Sequence, residues 1–243
     1  MRTMLLPLFL ALLLAAPALA EEVRTPKPIL DDEDLSIHVV ETACNTYLIT
    51  CKRTRTFVLV DPGSDISGTA MAWKRRGLKP KAIWLTHEHG DHVGGLVAVH
   101  AELNVPVVAH PLALPGVERV TRRAKELLDP LVEEGAVVEV GKTRWKTLHL
   151  PGHARGSLGF LLEGRVLIAG DTLFKGSIGR SDLPGSSPDV LAKSLGTKVW
   201  PLAEKTLVLP GHGPHTTLGV EKRSNWLFQD FARKGRGEPP IPR

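Results

Sequence analysis

Cysteine is nearly missing from this 243-residue sequence, which holds only Cys44 and Cys51, a single tyrosine and 5% aromatic residues in all. The two thiols lie in or beside the strand-like stretch Asn45 to Thr50. Extended chain of that length separates their Cα atoms by roughly 23 Å, beyond the reach of a disulfide. A disulfide framework is therefore excluded. No CxxC or catalytic-cysteine context surrounds either residue, so both are expected to be unpaired and structurally buried. Long apolar runs are also missing beyond residue 20, which leaves no later segment able to span a bilayer. A large excess of one charge is missing too. Thirty-one basic residues face 26 acidic ones, a formal net charge of +5, in short groups such as Lys74-Arg75-Arg76 and Arg122-Arg123. That balance is too mild and too dispersed for a nucleic-acid partner, and supports at most a modest attraction for anionic small molecules.

The one long apolar run, Leu5 to Ala16, follows Arg2 and precedes Ala18-Leu19-Ala20. This pattern reads as a secretory signal peptide over residues 1–20, cut after Ala20 and leading to a secreted or periplasmic location. Pro7, Pro17 and the shortness of the run argue against a retained anchor. Residues 21–36, with Pro26, Pro28 and Asp31-Asp32-Glu33-Asp34, read as a flexible lead-in. One packed domain is expected over 37–232, followed by a disordered tail over 233–243.

Within the domain, Asn45 to Thr50 and Thr56 to Val60 flank a charged turn and predict a hairpin. Ile66, Ala70 and Trp73 recur at helical spacing, and Gly77 stands just beyond the last basic turn. A strand over 81–86, a helix over 93–103 and a strand over 105–109 follow. Next comes a helix from Val117 to Leu131, interrupted or restarted at Pro130. Four strands are predicted over 136–140, 143–150, 158–162 and 166–169, then a helix over 189–200, a strand over 206–210 and a helix over 218–231. Each half thus carries strands and helices, as expected for an α+β fold of two sheets packed face to face with helices outside. The five tryptophans fall among apolar residues in these elements and are expected in the core or at an interface.

The densest chemistry lies at Thr86-His87-Glu88-His89-Gly90-Asp91-His92, where three imidazoles and a carboxylate crowd the end of a strand. Folding alone requires no such crowding, because these side chains would compete for few protein donors unless a cation sat among them. Pro151-Gly152-His153, Gly170-Asp171-Thr172 and Pro210-Gly211-His212 repeat the design, each placing a ligand-type residue beside glycine at the end of an apolar strand. Together they supply five histidines and two aspartates, enough for two divalent ions sharing one carboxylate. Imidazole and carboxylate without thiolate favour zinc, with iron or manganese as the alternatives. His38, His100, His110 and His149 have no partner motif and read as hydrogen-bonded or solvated histidines.

The HxHxDH pattern at 87–92, with the later His, the Asp of Gly170-Asp171-Thr172 and the His of Gly211-His212-Gly213, resembles the metallo-β-lactamase superfamily. Gly170-Asp171-Thr172-Leu173-Phe174 and the Gly176 to Asp182 stretch resemble its glyoxalase II (hydroxyacylglutathione hydrolase) branch. The resemblance implies an αββα sandwich with the metal site at one edge of the two sheets. It implies that His87, His89 and His153 hold one ion, that Asp91, His92 and His212 hold the other, and that Asp171 bridges them. Asp61, in Asp61-Pro62-Gly63, would orient ligands from behind. Arg180 stands where longer members carry a substrate-binding lysine, so it would meet the substrate's anionic end. The helical C-terminal domain that contacts glutathione in full-length members has no counterpart in the thirty or so residues after His212.

These assignments lead to a dinuclear hydrolase cleaving a thioester or related ester, with no separate general acid demanded because a thiolate departs without prior protonation. A hydroxide shared by the two ions would attack, and Asp91 would orient it or accept its proton. The expected partner is a small anionic substrate. Three other readings fit parts of the pattern: a mono-iron persulfide dioxygenase using His87, His153 and Asp171, a β-lactamase, and a non-catalytic maturation or binding factor of the cell envelope.

Overall fold

A computed structural model describes residues 27–239, so the signal peptide expected over 1–20 lies outside the described residues. Among the described residues, fifteen strands and eight α-helices follow one another along the chain. The first sheet takes β1 (Leu30–Asp31), β2 (Leu35–Glu41), β3 (Asn45–Cys51), β4 (Thr56–Val60), β5 (Lys79–Trp84), β6 (Val107–Ala109) and β7 (Leu128–Leu131), in that spatial order. Its first four strands run antiparallel and its last four parallel. β8 (Val137–Val140), β9 (Thr143–His149), β10 (Leu158–Leu162) and β11 (Val166–Gly170) begin the second sheet. A small hairpin follows, β12 (Leu173–Phe174) with β13 (Ser177–Ile178). Then β14 (Leu207–Pro210) and β15 (Thr216–Thr217) complete the second sheet in the order β15-β14-β11-β10-β9-β8.

Helices α1 (Ser67–Arg75), α2 (Gly90–Val93), α3 (Leu96–Leu103), α4 (Leu114–Thr121) and α5 (Ala124–Leu127) belong to the first half. The second half has α6 (Pro188–Ser194), α7 (Leu218–Ser224) and α8 (Trp226–Gly235). Three apolar layers follow from the alternation of the strands. Ile37, Tyr47, Ile49, Val58 and Trp84 face Trp145, Phe160 and Ile168 between the sheets. Leu48, Leu59 and Ile83 point the other way, onto Trp73, Leu96, Val99 and Val117. Leu161 and Leu167 pack against Leu191, Leu195 and Phe228. The result is the expected αββα sandwich. Trp84 stacks on Phe160 at 4.8 Å and meets Trp145 edge-on at 5.8 Å, so the largest side chains lock one sheet to the other.

Several boundaries differ from the sequence reading, each for a local reason. Residues 30–36 were expected in a flexible lead-in, but β1 and the start of β2 pair there, with Leu35 fully buried against the inter-sheet core. The helix expected through Leu131 ends at Leu127, and residues 128–131 form an edge strand beside β6. Pro130 lacks the N–H a helix interior needs and is tolerated at a sheet edge. The helix expected over 218–231 breaks at Asn225, whose Oδ1 accepts the Phe228 N–H at 3.1 Å and starts α8 as a new helix. The tail expected to be disordered from 233 is helical to Gly235, and the Arg236 guanidinium lies 4.6 Å from the centre of the Trp200 ring. Residues 240–243 lie outside the described residues. Cys44 and Cys51 are unpaired and buried, as expected. Trp226 alone of the tryptophans is largely exposed and so lies outside the core; it takes the first position of α8.

Candidate metal centre

Strand direction decides where the ligand-type residues arrive. β4 and β5 are parallel and in register Val60↔Trp84, so Asp61 leaves the sheet beside Leu85-Thr86-His87. β11 and β14 are parallel with Gly170↔Pro210, so Asp171 leaves beside Gly211-His212. β9 is antiparallel to β10, which is antiparallel to β11, so His153 emerges after β9 at that same end. Five strand ends therefore discharge their polar residues into one region. All seven proposed ligands are brought together there.

Two groups form. His87 Nε2 is 3.1 Å from His89 Nδ1, which is 2.9 Å from His153 Nε2. On the other side His212 Nε2 lies 3.1 Å from Asp91 Oδ2 and 3.3 Å from His92 Nε2. Asp171 stands between them, its Oδ1 3.3 Å from His92 Nε2 and its Oδ2 3.6 Å from both His153 Nε2 and His212 Nε2. A tetrahedral ion holding its ligands at about 2.1 Å separates them by roughly 3.4 Å. The observed spacings bracket that value. His87 and His92 are buried, whereas the Asp91 and His212 side chains are 44% and 41% exposed, so the centre opens to solvent on their side.

Hydrogen bonding behind the ligands fixes which atoms face inward. The Arg180 carbonyl can only accept, so His153 donates from Nδ1 at 2.9 Å and its Nε2 carries a lone pair. Thr86 Oγ1 donates to Asp61 Oδ2 at 2.6 Å and so accepts from His87 Nδ1 at 3.1 Å, which makes His87 Nε2 a lone pair as well. Both lone pairs point at His89 Nδ1, which has at most one hydrogen to give. Asp171 Oδ1 is buried without a hydrogen bond. A donor set with surplus lone pairs and an orphaned carboxylate oxygen fits divalent cations.

The titration behaviour shows the same tension. Burial, aided by the neighbouring His92, His153 and His89 rings, holds His87 well below the ordinary imidazole range. Burial also disfavours charge on His92, but Asp61 and Asp171 outweigh it and push His92 well above that range. Burial pushes the Asp171 carboxyl up, while His92, His153 and His212 outweigh it and hold it below the ordinary range. The centre is built to keep a carboxylate ionised among imidazoles.

Asp61 has the deepest anchoring. Its carboxylate is buried and accepts the Thr86 N–H at 2.7 Å, the Thr86 hydroxyl at 2.6 Å and His92 Nδ1–H at 2.9 Å. One side chain thus steadies a histidine of each group, His92 directly and His87 through Thr86. The backbone at Asp61 takes a left-handed conformation, φ 53°, which aspartate tolerates better than most residues. Two glycines have different reasons for being glycine. Gly170 also needs positive φ, 50°. Gly211 does not, but a Cβ there would fall 2.0 Å from Asp171 Oδ1, so its bareness makes room for the shared carboxylate.

Some contributors were not visible as site residues in the sequence. Thr86 belonged to the motif but carried no assigned role. Asn45 and Tyr47 hold the turn before His212: the Pro210 carbonyl accepts from Asn45 Nδ2 at 3.0 Å and from the Tyr47 hydroxyl at 2.6 Å. More than 160 residues separate these partners, so no local pattern announces them. Glu221 is fully buried and accepts from the Thr216 hydroxyl at 2.6 Å, Asn225 Nδ2 at 2.8 Å and the Gly176 N–H at 2.8 Å. It ties the β12–β13 hairpin, which follows Asp171, to α7. Glu221→Ala should strand those three donors and lower stability by about 3 kcal/mol, with Glu221→Gln losing less. Urea unfolding midpoints check this, and equal midpoints for all three proteins would refute it.

Arg180 contributes through its backbone as well as its side chain. Its carbonyl positions His153, and its exposed guanidinium forms two 3.0 Å bonds to Asp182. Asp182 also raises the Arg180 pKa. The remaining histidines stay outside the two groups. His110 stacks on His149 at 3.9 Å and accepts the Leu112 N–H, and burial beside His149 pulls its pKa down to about 4. His215 is exposed.

Residues 39–212 match the metallo-beta-lactamase superfamily. YqgX of Bacillus subtilis (strain 168), a probable metallo-hydrolase, is 35% identical over 190 residues, which are 72% of this chain and 88% of that protein. The hydroxyacylglutathione hydrolase GloC of Haemophilus influenzae is 33% identical over 181 residues, 69% of this chain and 84% of its own length. Among solved structures, TTHA1623 in a di-iron-bound form superposes with a TM-score of 0.64 at 38% identity, covering 78% of this chain and 98% of that one.

Proposed function

The chain belongs to the metallo-β-lactamase superfamily of metal-dependent hydrolases, and from that premise we propose that it is a dinuclear hydrolase cleaving a thioester or related ester. The observation that supports this reading best is the pair of three-ligand groups facing one shared carboxylate. His87, His89 and His153 would hold one ion, Asp91, His92 and His212 the other, and Asp171 both. Zinc is the proposed metal, on the strength of an all-nitrogen-and-oxygen donor set; the di-iron form of a related protein makes iron the alternative to be tested. Bound there, divalent ions supply Lewis acidity and an activated water.

The chain's own residues do the rest. Asp61 and Thr86 keep His92 and His87 in the tautomers that face inward. Asp91 Oδ2, partly exposed and 3.1 Å from His212 Nε2, is the proposed acceptor for the proton released on attack. A departing thiolate needs no proton from the protein, which suits a centre with no separate acid. Arg180 is proposed to meet an anionic part of the substrate by exchanging Asp182 for it. Export is proposed from the sequence of residues 1–20; among the described residues no helix is long and apolar enough to cross a membrane.

The purified protein should carry about two ions per chain and release thiol from S-lactoylglutathione or a wider thioester panel. Chelation should stop the release and zinc restore it. One iron per chain with oxygen uptake and no thiol release would establish the dioxygenase reading. Nitrocefin turnover would point to a β-lactamase, and an inert metal-loaded protein to a binding factor.

A further inference from the structure

A cleft of about 360 Å³ runs from His89 between α4 and the segment that carries His153. Its walls hold two arginines, Arg119 from α4 and Arg155 from the loop after β9, with Leu112, Pro115 and Pro184 between them. The volume lies at the small end of the range for ligand sites. Close packing builds it: a Cβ on Gly116 would fall 2.3 Å from Glu88 Cγ, and one on Gly156 2.6 Å from the Ala113 backbone. The Arg155 carbonyl is fixed by His149 Nε2 at 2.9 Å, so the backbone is held while the side chain projects.

Both guanidiniums are exposed, and neither makes a salt bridge or a hydrogen bond among the described residues. Other arginines contrast with them: Arg123 pairs with Glu126, Arg165 with Asp32, Arg180 with Asp182 and Arg223 with Glu204. The one carboxyl among the lining residues, Glu88, has a buried Oε2 without a hydrogen bond and makes no salt bridge to either arginine, although the Arg119 charge attracts it at longer range. An anion would be drawn to the space between the arginines, where two positive charges outnumber the single carboxyl.

Building on the hydrolase reading, we infer that Arg119 and Arg155 are the specificity-determining pair of this site, clamping a carboxylate of the substrate while its scissile bond lies at the centre beside His89. Apart from His89 at one end, the apolar lining is aliphatic and proline surface, so the group that spans the cleft is short and aliphatic. The pair breaks no salt bridge when it binds, whereas Arg180 must first give up Asp182.

The test separates the clamp from the chemistry by using thioethers, which cannot be hydrolysed. S-propylglutathione places carboxylates on the thiol part, 4-(propylthio)butanoate places one on a short aliphatic arm, and the dimethyl ester of S-propylglutathione has none. Calorimetric titration of the metal-loaded protein should show the acids binding more tightly than the diester, with affinity falling as salt rises. Arg119→Met and Arg155→Met should each weaken acid binding about tenfold, and the lysine variants should recover part of it. Whichever acid shows the larger loss identifies the side of the substrate that carries the anion. In turnover, the ratio of kcat/KM for a carboxylate thioester to that of its methyl ester should fall in the double variant, chiefly through KM. Equal binding of acid and diester, or unchanged acid binding in the double variant, would overturn the clamp. Arginine-dependent binding without hydrolysis of any thioester or ester would leave the clamp standing and refute the hydrolase reading.

Discussion

Replacing Asp171 with alanine should reduce thioester hydrolysis on the order of 10³-fold and lower the metal content of the purified protein below that of the unaltered chain. Asp171 is the one carboxylate that faces both ligand groups, with Oδ1 toward His92 and Oδ2 toward His153 and His212. Removing it would leave each proposed group with three ligands and nothing to hold two ions at a common distance. The fold should survive without metal. Asp171 Oδ1 has no hydrogen bond to lose, and deleting a carboxylate that is costly to bury offsets the loss of its attraction to the surrounding imidazoles. Melting temperatures of the chelated proteins should therefore lie close together, while added zinc should raise that of the unaltered chain far more. Full metal content with unchanged hydrolysis in the variant would remove Asp171 from the proposed centre.

Much of that centre was legible because its ligands announce themselves locally. His87, His89, Asp91 and His92 share one motif, and His153, Asp171 and His212 each stand beside glycine after an apolar strand. The sandwich was legible from alternation, since residues such as Leu48 and Ile49 serve opposite layers of the core and mark a strand apolar on both faces. What stayed hidden depends on partners distant in sequence or on competition at element ends. Nothing near Tyr47 indicates that its hydroxyl will find the Pro210 carbonyl. The apolar spacing of Leu127, Leu128 and Leu131 fits a helix as well as an edge strand, and only Pro130 and the vacant edge of β6 decide it. Arg180 carries a feature its position in the motif does not reveal: a neighbour two residues away, Asp182, pairs with its guanidinium, so a substrate anion would have to exchange with that carboxylate.

Asp61 is expected to show the second large effect, and it tests whether the residues behind the ligands act on both ions. Asp61→Asn keeps an acceptor for the Thr86 N–H but turns an amide N–H₂ toward two donors, the Thr86 hydroxyl and His92 Nδ1–H. His92 would then favour the tautomer protonated on Nε2, which blocks its inward lone pair. Thr86, freed from Asp61, would no longer oblige His87 to donate from Nδ1. Metal affinity should fall about 10–100-fold, and at both ions rather than one. Thr86→Val breaks only the His87 arm, so it should weaken one ion, and adding it to Asp61→Asn should cost little more. Asp61→Ala goes further and strands three buried donors, lowering stability by about 3–5 kcal/mol. Nitrogen-15 chemical shifts of the imidazoles in the metal-free protein separate orientation from mere destabilisation. Recorded at a pH high enough for His92 to be neutral, they should report a changed His92 tautomer in Asp61→Asn while the unfolding midpoint of that variant stays within the range where the protein is folded. An unchanged tautomer, with both ions bound as tightly as before, would show that the ligands hold themselves in place and that Asp61 serves only the fold.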